Sequence, residues 1–291
     1  MVSGHGGVGM ERNRLVEILN GDIESEHGAI VQYLTHAYAM GEGEVACEIE
    51  GIAREEMRHL DWLAEVVLDL GGTPSVVRGS MRMGGNTVAD WMRNNVLLEE
   101  DAIGPYREQI AGVDDPRVKR LLARILSDEE SHHGAFQHLA DKVAREGMAD
   151  VRGTKDDRTV RLLNWGIDHE YTVILQYLFH SYMATDAEVK TQLQDQAVNE
   201  MQHLGWLAEQ LISISGAPRI EHSTVDQSRE MQQMLDADIS IENEVARKYD
   251  EAANELGDGK IVSLLSRIRD QEIYHAEVFQ DLLDELKKGR P

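Results

Sequence analysis

The chain has 291 residues, 42% of them hydrophobic and only five of them proline, a composition that suits two helical domains, each able to bury a core, and excludes a long disordered tail. Its formal charge of −24 opposes binding to nucleic acid or to an anionic membrane surface, and a field of that sign also concentrates cations. Cys47 is the only cysteine, which excludes an intrachain disulfide and any multi-cysteine zinc or iron site, and it reads as a small buried residue. The opening residues lack the basic and apolar regions of a signal peptide, and no run reaches about 18 apolar residues, so a cytoplasmic protein without a membrane segment is expected.

The first element is a helix over residues 11–40, in which Leu15, Ile18, Leu19, Ile23, Ile30, Tyr33, Leu34 and Ala37 follow a helical period. Glu26 falls on that apolar stripe, where an acid is costly unless it is protonated, paired or bound to a metal. Gly41 and Gly43 end this helix, and a second runs over 44–70 to a stop at Gly71-Gly72-Thr73-Pro74. It carries Glu56 and His59, three apart and so on one face. A connection over 71–87 without clear period is long enough for the third helix to start at the far end and run parallel to the second. The third helix, 88–111, holds Glu99. Asp114-Asp115-Pro116 caps a fourth, 117–145, holding Glu129 and His132. Residues 147–157 are polar and unpatterned and read as a linker, with domains at 1–150 and 151–291.

The second half repeats the plan, with helices over 158–184, 187–215, 228–256 and 260–288. Glu170, Glu200 and His203 each follow Glu26, Glu56 and His59 by 144 residues, and Glu242, Glu272 and His275 follow Glu99, Glu129 and His132 by 143. The surroundings repeat too, since both second helices read Glu-Met-x-His-Leu-x-Trp-Leu-Ala-Glu. Constant offsets over half a chain mark a duplication of a complete four-helix unit.

Each half therefore offers one Glu from its first helix, Glu-x-x-His from its second, one Glu from its third and Glu-x-x-His from its fourth. In these terms the chain resembles the ferritin-like di-iron carboxylate superfamily. The resemblance implies an all-α fold of two tandem ferritin-like four-helix bundles with a long crossover from helix two to helix three. It implies metal ligation by Glu26, Glu56, His59, Glu99, Glu129 and His132, and by Glu170, Glu200, His203, Glu242, Glu272 and His275. Within the superfamily the wording is most like bacterioferritin, in the stretches Glu26 to Gln32-Tyr33, Glu170 to Gln176-Tyr177 and the two Glu-Met-x-His motifs. Four carboxylates and two imidazoles suit Fe(II) or Mn(II), and four negative charges balance two divalent ions. Departures are visible as well. Only 16 residues follow His275, which speaks against the fifth helix that closes a storage cage, and Ala102 and Val245 stand where rubrerythrins carry an extra Glu.

The expectation is a di-iron centre in each bundle that oxidises Fe(II) with O2 or peroxide in iron homeostasis or detoxification. The rivals are a di-metal oxygenase or peroxide reductase acting on another substrate, an iron-storage cage subunit, and a structural protein with vestigial sites. The two bundles are expected to form a pseudo-dimer within the chain, with higher homo-oligomers open. Tyr33 and Tyr177, seven residues after the first Glu, are either core tyrosines or redox-active ones. Met57 and Met201 match the position at which bacterioferritin ligates haem, with interface packing as the alternative. Glu55 and Asp128 precede the ligand acids of the first half where the second has Asn199 and Gln271. A carboxylate behind an imidazole makes it a stronger ligand, so tighter metal is expected in the first half.

Overall fold

The computed structural model describes residues 7–147, 157–256 and 259–289, and among them it contains eight helices and no strand. The chain divides into two compact units, Met1–Arg152 and Gly153–Pro291. The first holds α1 (Gly7–Met40), α2 (Glu44–Asp69), α3 (Val88–Gly112) and α4 (Pro116–Glu146). The second holds α5 (Arg158–Met183), α6 (Ala187–Ser213), α7 (Met231–Leu256) and α8 (Lys260–Lys288). Most of the linker segment read at 147–157 lies outside the described residues. No helix among the described residues is long and apolar enough to cross a membrane.

Local chemistry sets the helix ends. Thr87 and Asp90 form a capping box at the start of α3, Asp115 accepts from Arg117 N with Pro116 in the first turn of α4, and Asp157 and Asp186 cap α5 and α6. Gly71, with φ +72°, ends α2 in the left-handed region that a residue without Cβ adopts readily. Its counterpart after α6 is Ser215, held at φ 63°. α7 starts three residues later than its apolar period indicates, because Ser228 N donates to Asp226 Oδ1 at 2.9 Å and holds that segment in a turn. Cys47 corrects another expectation, since it is exposed. Val45, Ala46 and Ile49 form the buried face of that turn of α2, and Cys47 is rotated past it.

The segment between α2 and α3 is a strap laid along α1, held by residues on one face of that helix, Asn20, Glu24 and Gln32. Asn20 bonds Thr73 O and Ser75 N at 3.0 and 2.8 Å, Glu24 accepts from Ser75 Oγ at 2.8 Å, and Glu24 O accepts from Gly79 N at 2.8 Å. Gln32 Oε1 then accepts from Arg82 N at 2.6 Å. The second unit repeats the row with Asn164 to Arg219, Asp168 to Glu221, Thr172 to Ser223 and Gln176 to Asp226. Because the strap advances in the direction of the first helix, it delivers the chain to the end where the second helix began. The third helix therefore starts at that end, where it packs against the first helix, and runs parallel to the second.

Within each unit α1 packs along α2 and α3 along α4, as α5 does along α6 and α7 along α8, and the two pairs close on each other. One apolar cluster contains Tyr33, Ile49, Met92, Phe136 and Leu139, and its counterpart contains Tyr177, Leu193, Leu235, Phe279 and Leu283. Burying each such side chain contributes about 1.5–3 kcal/mol, enough in sum to hold a strongly polar layer in the middle of each bundle.

Candidate metal centres

In the first unit Glu26, Glu56, His59, Glu99, Glu129 and His132 are brought together with at most 3% of each exposed. They form two overlapping clusters, Glu26-Glu56-His59-Glu129 and Glu56-Glu99-Glu129-His132, each with ligand atoms within 4.8 Å of one another. Glu56 and Glu129 belong to both. Two ions placed in the clusters would share those two carboxylates, while Glu26 with His59 and Glu99 with His132 would each serve one ion. His59 Nδ1 lies 2.8 Å from Glu56, 3.1 Å from Glu129 and 3.8 Å from Glu26, and His132 Nδ1 lies 2.9 Å from Glu56. The second unit builds the same object from Glu170-Glu200-His203-Glu272 and Glu200-Glu242-Glu272-His275. There His203 Nδ1 lies 2.7 Å from Glu200 and 3.0 Å from Glu272, and His275 Nδ1 lies 2.7 Å from Glu200. The imidazole pairs have centroids 5.8 Å apart in both units.

The donor atoms fit metal better than they fit one another. Both carboxylate oxygens of Glu56, one each of Glu99 and Glu129, and the Nδ1 atoms of His59 and His132 are buried without a hydrogen bond of acceptable geometry, as are atoms of Glu200, Glu242, Glu272 and His275. Buried polar atoms are nearly always partnered, so a convergent set of orphans marks a place for a cation.

Electrostatics agrees. Burial, then Glu129 and Glu56, push the Glu26 carboxyl well above the usual range, and burial, then Glu56 and Glu129, do the same to Glu99. Burial raises Glu170 and Glu242 likewise, with Glu272 as the next contributor to each. For His132 burial pulls down, but the Glu56 carboxylate 2.9 Å away outweighs it and sets the ring at about 9. Without metal, protons hold these acids together.

Outside the ligands the units differ. His132 Nε2 donates to Glu55 at 2.8 Å and His59 Nε2 reaches Asp128 at 3.4 Å. In the second unit His203 Nε2 donates to Gln271 Oε1 at 2.6 Å, while Asn199 turns its amide to Gln196 at 2.9 Å.

The tyrosines are placed more tightly than the sequence reading allowed. Tyr33 donates to Glu99 and Tyr177 to Glu242, so both touch a carboxylate of the cluster. That reading missed their partners. Tyr106 donates to Glu26 and Tyr249 to Glu170, completing a reciprocal arrangement. The signal was present, since Tyr106 and Tyr249 follow Glu99 and Glu242 by seven residues, as Tyr33 and Tyr177 follow Glu26 and Glu170. Met57 and Met201 are half-buried, one position past Glu56 and Glu200. Trp62 and Trp206 pack beside His59 and His203 at 5.8 and 5.6 Å.

A family model described as a ferritin-like domain matches this chain twice, over residues 16–146 and 160–289. The chain belongs to the ferritin-like family. Among its curated relatives, bacterioferritin of Desulfovibrio desulfuricans is 27% identical over 150 residues, covering 48% of this chain and 84% of the relative. Bacterioferritin BfrA of Mycobacterium tuberculosis is 29% identical over 142 residues, covering 45% and 89%. Solved structures similar to it include that of the D. desulfuricans bacterioferritin, described with its diiron site in different catalytic states, at TM-score 0.46 and 26% identity over 48% of this chain and 85% of that one. Another is Rhodobacter capsulatus bacterioferritin, described with a metal-free dinuclear site and heme iron, at TM-score 0.43 and 27% identity over 46% and 87%.

Proposed function

We propose that the protein is a ferroxidase-type member of its family, with a di-iron centre in each of its halves, residues 1–150 and 151–291, that oxidises Fe(II) with O2 or peroxide. The observation that carries this is the pair of overlapping clusters in each unit, which share two carboxylates. The two ferritin-like domain matches and the curated bacterioferritin relatives add support. Two Fe(II) ions together supply the electron pair that, with two protons, takes O2 to hydrogen peroxide or peroxide to water. Glu56 with Glu129, and Glu200 with Glu272, would hold both ions at once. Glu26 with His59, Glu99 with His132, Glu170 with His203 and Glu242 with His275 would hold one each. Tyr33, Tyr106, Tyr177 and Tyr249 orient the outer carboxylates by hydrogen bonds and carry a proton beside each. The apolar shell around each layer excludes bulk water, which strengthens every charge interaction inside it.

The test is an anaerobic Fe(II) titration of the full chain followed by O2 or peroxide. Uptake of about four Fe(II) per chain, two per centre, with oxidant consumed in proportion, is expected from four clusters. No uptake, or uptake without oxidant consumption, overturns the proposal. Haem is tested separately by adding haemin. A Soret band lost in Met57→Leu and Met201→Leu assigns the two thioethers as axial ligands, and no band leaves them as packing residues.

A further inference from the structure

The two units carry the same ligands but not the same surroundings, and the differences fall together. In the first unit the imidazoles are backed by Glu55 and Asp128, and these acids are in turn paired with Arg58 at 3.0 Å and Arg124 at 2.8 Å. At the equivalent positions the second unit has Asn199 and Gln271, with Gln202 in place of Arg58. Arg267 stands where Arg124 does, but with no carboxylate at 271 it lies over the Trp206 ring at 3.9 Å. The neighbouring surface changes as well. Arg54, Glu130 and Ser131 of the first unit correspond to Val198, Ile273 and Tyr274, all exposed, of the second.

We propose that the two centres fill in order, the first unit's with higher affinity for divalent metal than the second's. This rests on the reading of both clusters as metal centres. A carboxylate accepting the Nε2 hydrogen draws the imidazole toward the anion and strengthens Nδ1 as a donor, whereas an amide oxygen offers a dipole only. Gln271 still orients His203 at 2.6 Å, so that ring keeps its aim and loses charge support. Asn199 is turned to Gln196, so the second imidazole, His275, lacks the bond that Glu55 gives His132. The direct pull of Glu55 and Asp128 on a cation is screened by solvent and offset by Arg58 and Arg124. The hydrogen bonds to the ligands therefore carry the difference, and outer partners of this kind are worth about 10–100-fold in metal affinity. At metal levels between the two affinities, one chain holds one loaded centre and one centre without metal.

The test is a Co(II) titration of the full chain, read by ligand-field absorption and by calorimetry, so that it does not depend on turnover. A biphasic curve is expected, with about 10–100-fold between the phases. The double variant Glu55→Gln with Asp128→Asn weakens the tight phase alone, and Asn199→Glu with Gln271→Glu strengthens the weak phase alone. Each variant tests the other, since one that loses its fold leaves the opposite change to be read in the second. A single phase for all ions, or a tight phase that moves with the second-unit variant, overturns the order of filling while leaving the centres intact. Failure to bind Co(II) at all overturns the metal centres themselves.

Discussion

The proposed binding of metal at these clusters would be coupled to proton release, and the structure sets the scale. Without metal, His132 is held at about 9 and His275 at about 12, burial opposing and Glu56 and Glu200 outweighing it. His59 and His203 are raised further by the acids around them. At neutral pH the metal-free clusters therefore hold protons, shared between the imidazoles and the carboxyls that face them. Nε2 keeps its hydrogen where an outer acceptor takes it, so coordination by Nδ1 must displace the other proton. Each ion would thus release about one proton, held between its imidazole and the raised carboxyl of Glu26, Glu99, Glu170 or Glu242 beside it. The sign follows from mass action. Below about pH 9 the metal-free form holds more protons than the loaded form, so affinity rises with pH, by about tenfold per unit for each proton released. Between pH 6 and 8 the expected gain is about a hundredfold per ion or more. Co(II) calorimetry at pH 6, 7 and 8, in buffers of different ionisation enthalpy, measures both slope and proton count. Affinity flat across that range, with release well under one proton per ion, would refute the assignment of these rings as ligands.

Other expectations concern the scaffold. A Cβ at Gly79 would lie 2.4 Å from the backbone oxygen of Glu24, so Gly79→Ala should cost the first unit about 1–3 kcal/mol in thermal or urea unfolding. Gly84→Ala, which meets nothing within 4 Å, serves as its control, and an equal loss there would count against the strap as described. Ser215→Gly should relieve the left-handed backbone at φ 63° and stabilise the second unit by about 0.5–1 kcal/mol. No gain in its melting temperature would show that Ser215 is not strained. His36 is pushed down to about 4 by burial, against the bond to Asn95. Between its ordinary 6.5 and that value the unfolded chain takes up a proton that the folded ring refuses. Its contribution is therefore complete above pH 6.5 and falls by about 3 kcal/mol as the pH drops toward 4. Asn95→Asp, which copies the Asp238 partner of His180, should remove most of that loss, and an unchanged acid-unfolding profile would argue against it.

The clusters were legible because a costly pattern was written twice. Acids such as Glu26 and Glu170 on an apolar stripe require a partner, and the constant spacing from Glu56 to Glu200 shows that the requirement recurs. Helix ends were legible wherever a Thr, an Asp or a Gly had one dominant role, as at Thr87, Asp115 and Gly71. The strap was not, because its order resides in the helix beneath it. Asn20, Glu24 and Gln32 look like an ordinary polar face until their backbone partners are in place. Tyr106 was missed although the helix read over 88–111 contains it, because the carboxylate it meets, Glu26, lies on another helix. Cys47 was misjudged from residue type alone, where the rotation of one position past Ala46 decided the matter.

The reciprocal tyrosine bonds have a further consequence. Tyr106, Glu99, Glu129 and His132 each follow Tyr33, Glu26, Glu56 and His59 by 73 residues, and the second unit repeats the relation at 72. Every bundle is thus two symmetry-related hairpins, and the two clusters that share Glu56 and Glu129 are built from equivalent residues. The symmetry fails away from the ligands. Asp22 with Gln109 and Asn95 with His36 occupy related positions with the chemistry exchanged, and the second unit has Gly166 with Ala252 opposite Asp238 with His180. Selection acting on the two ends of a bundle is therefore free to diverge, while the middle is bound to an exchange of equals.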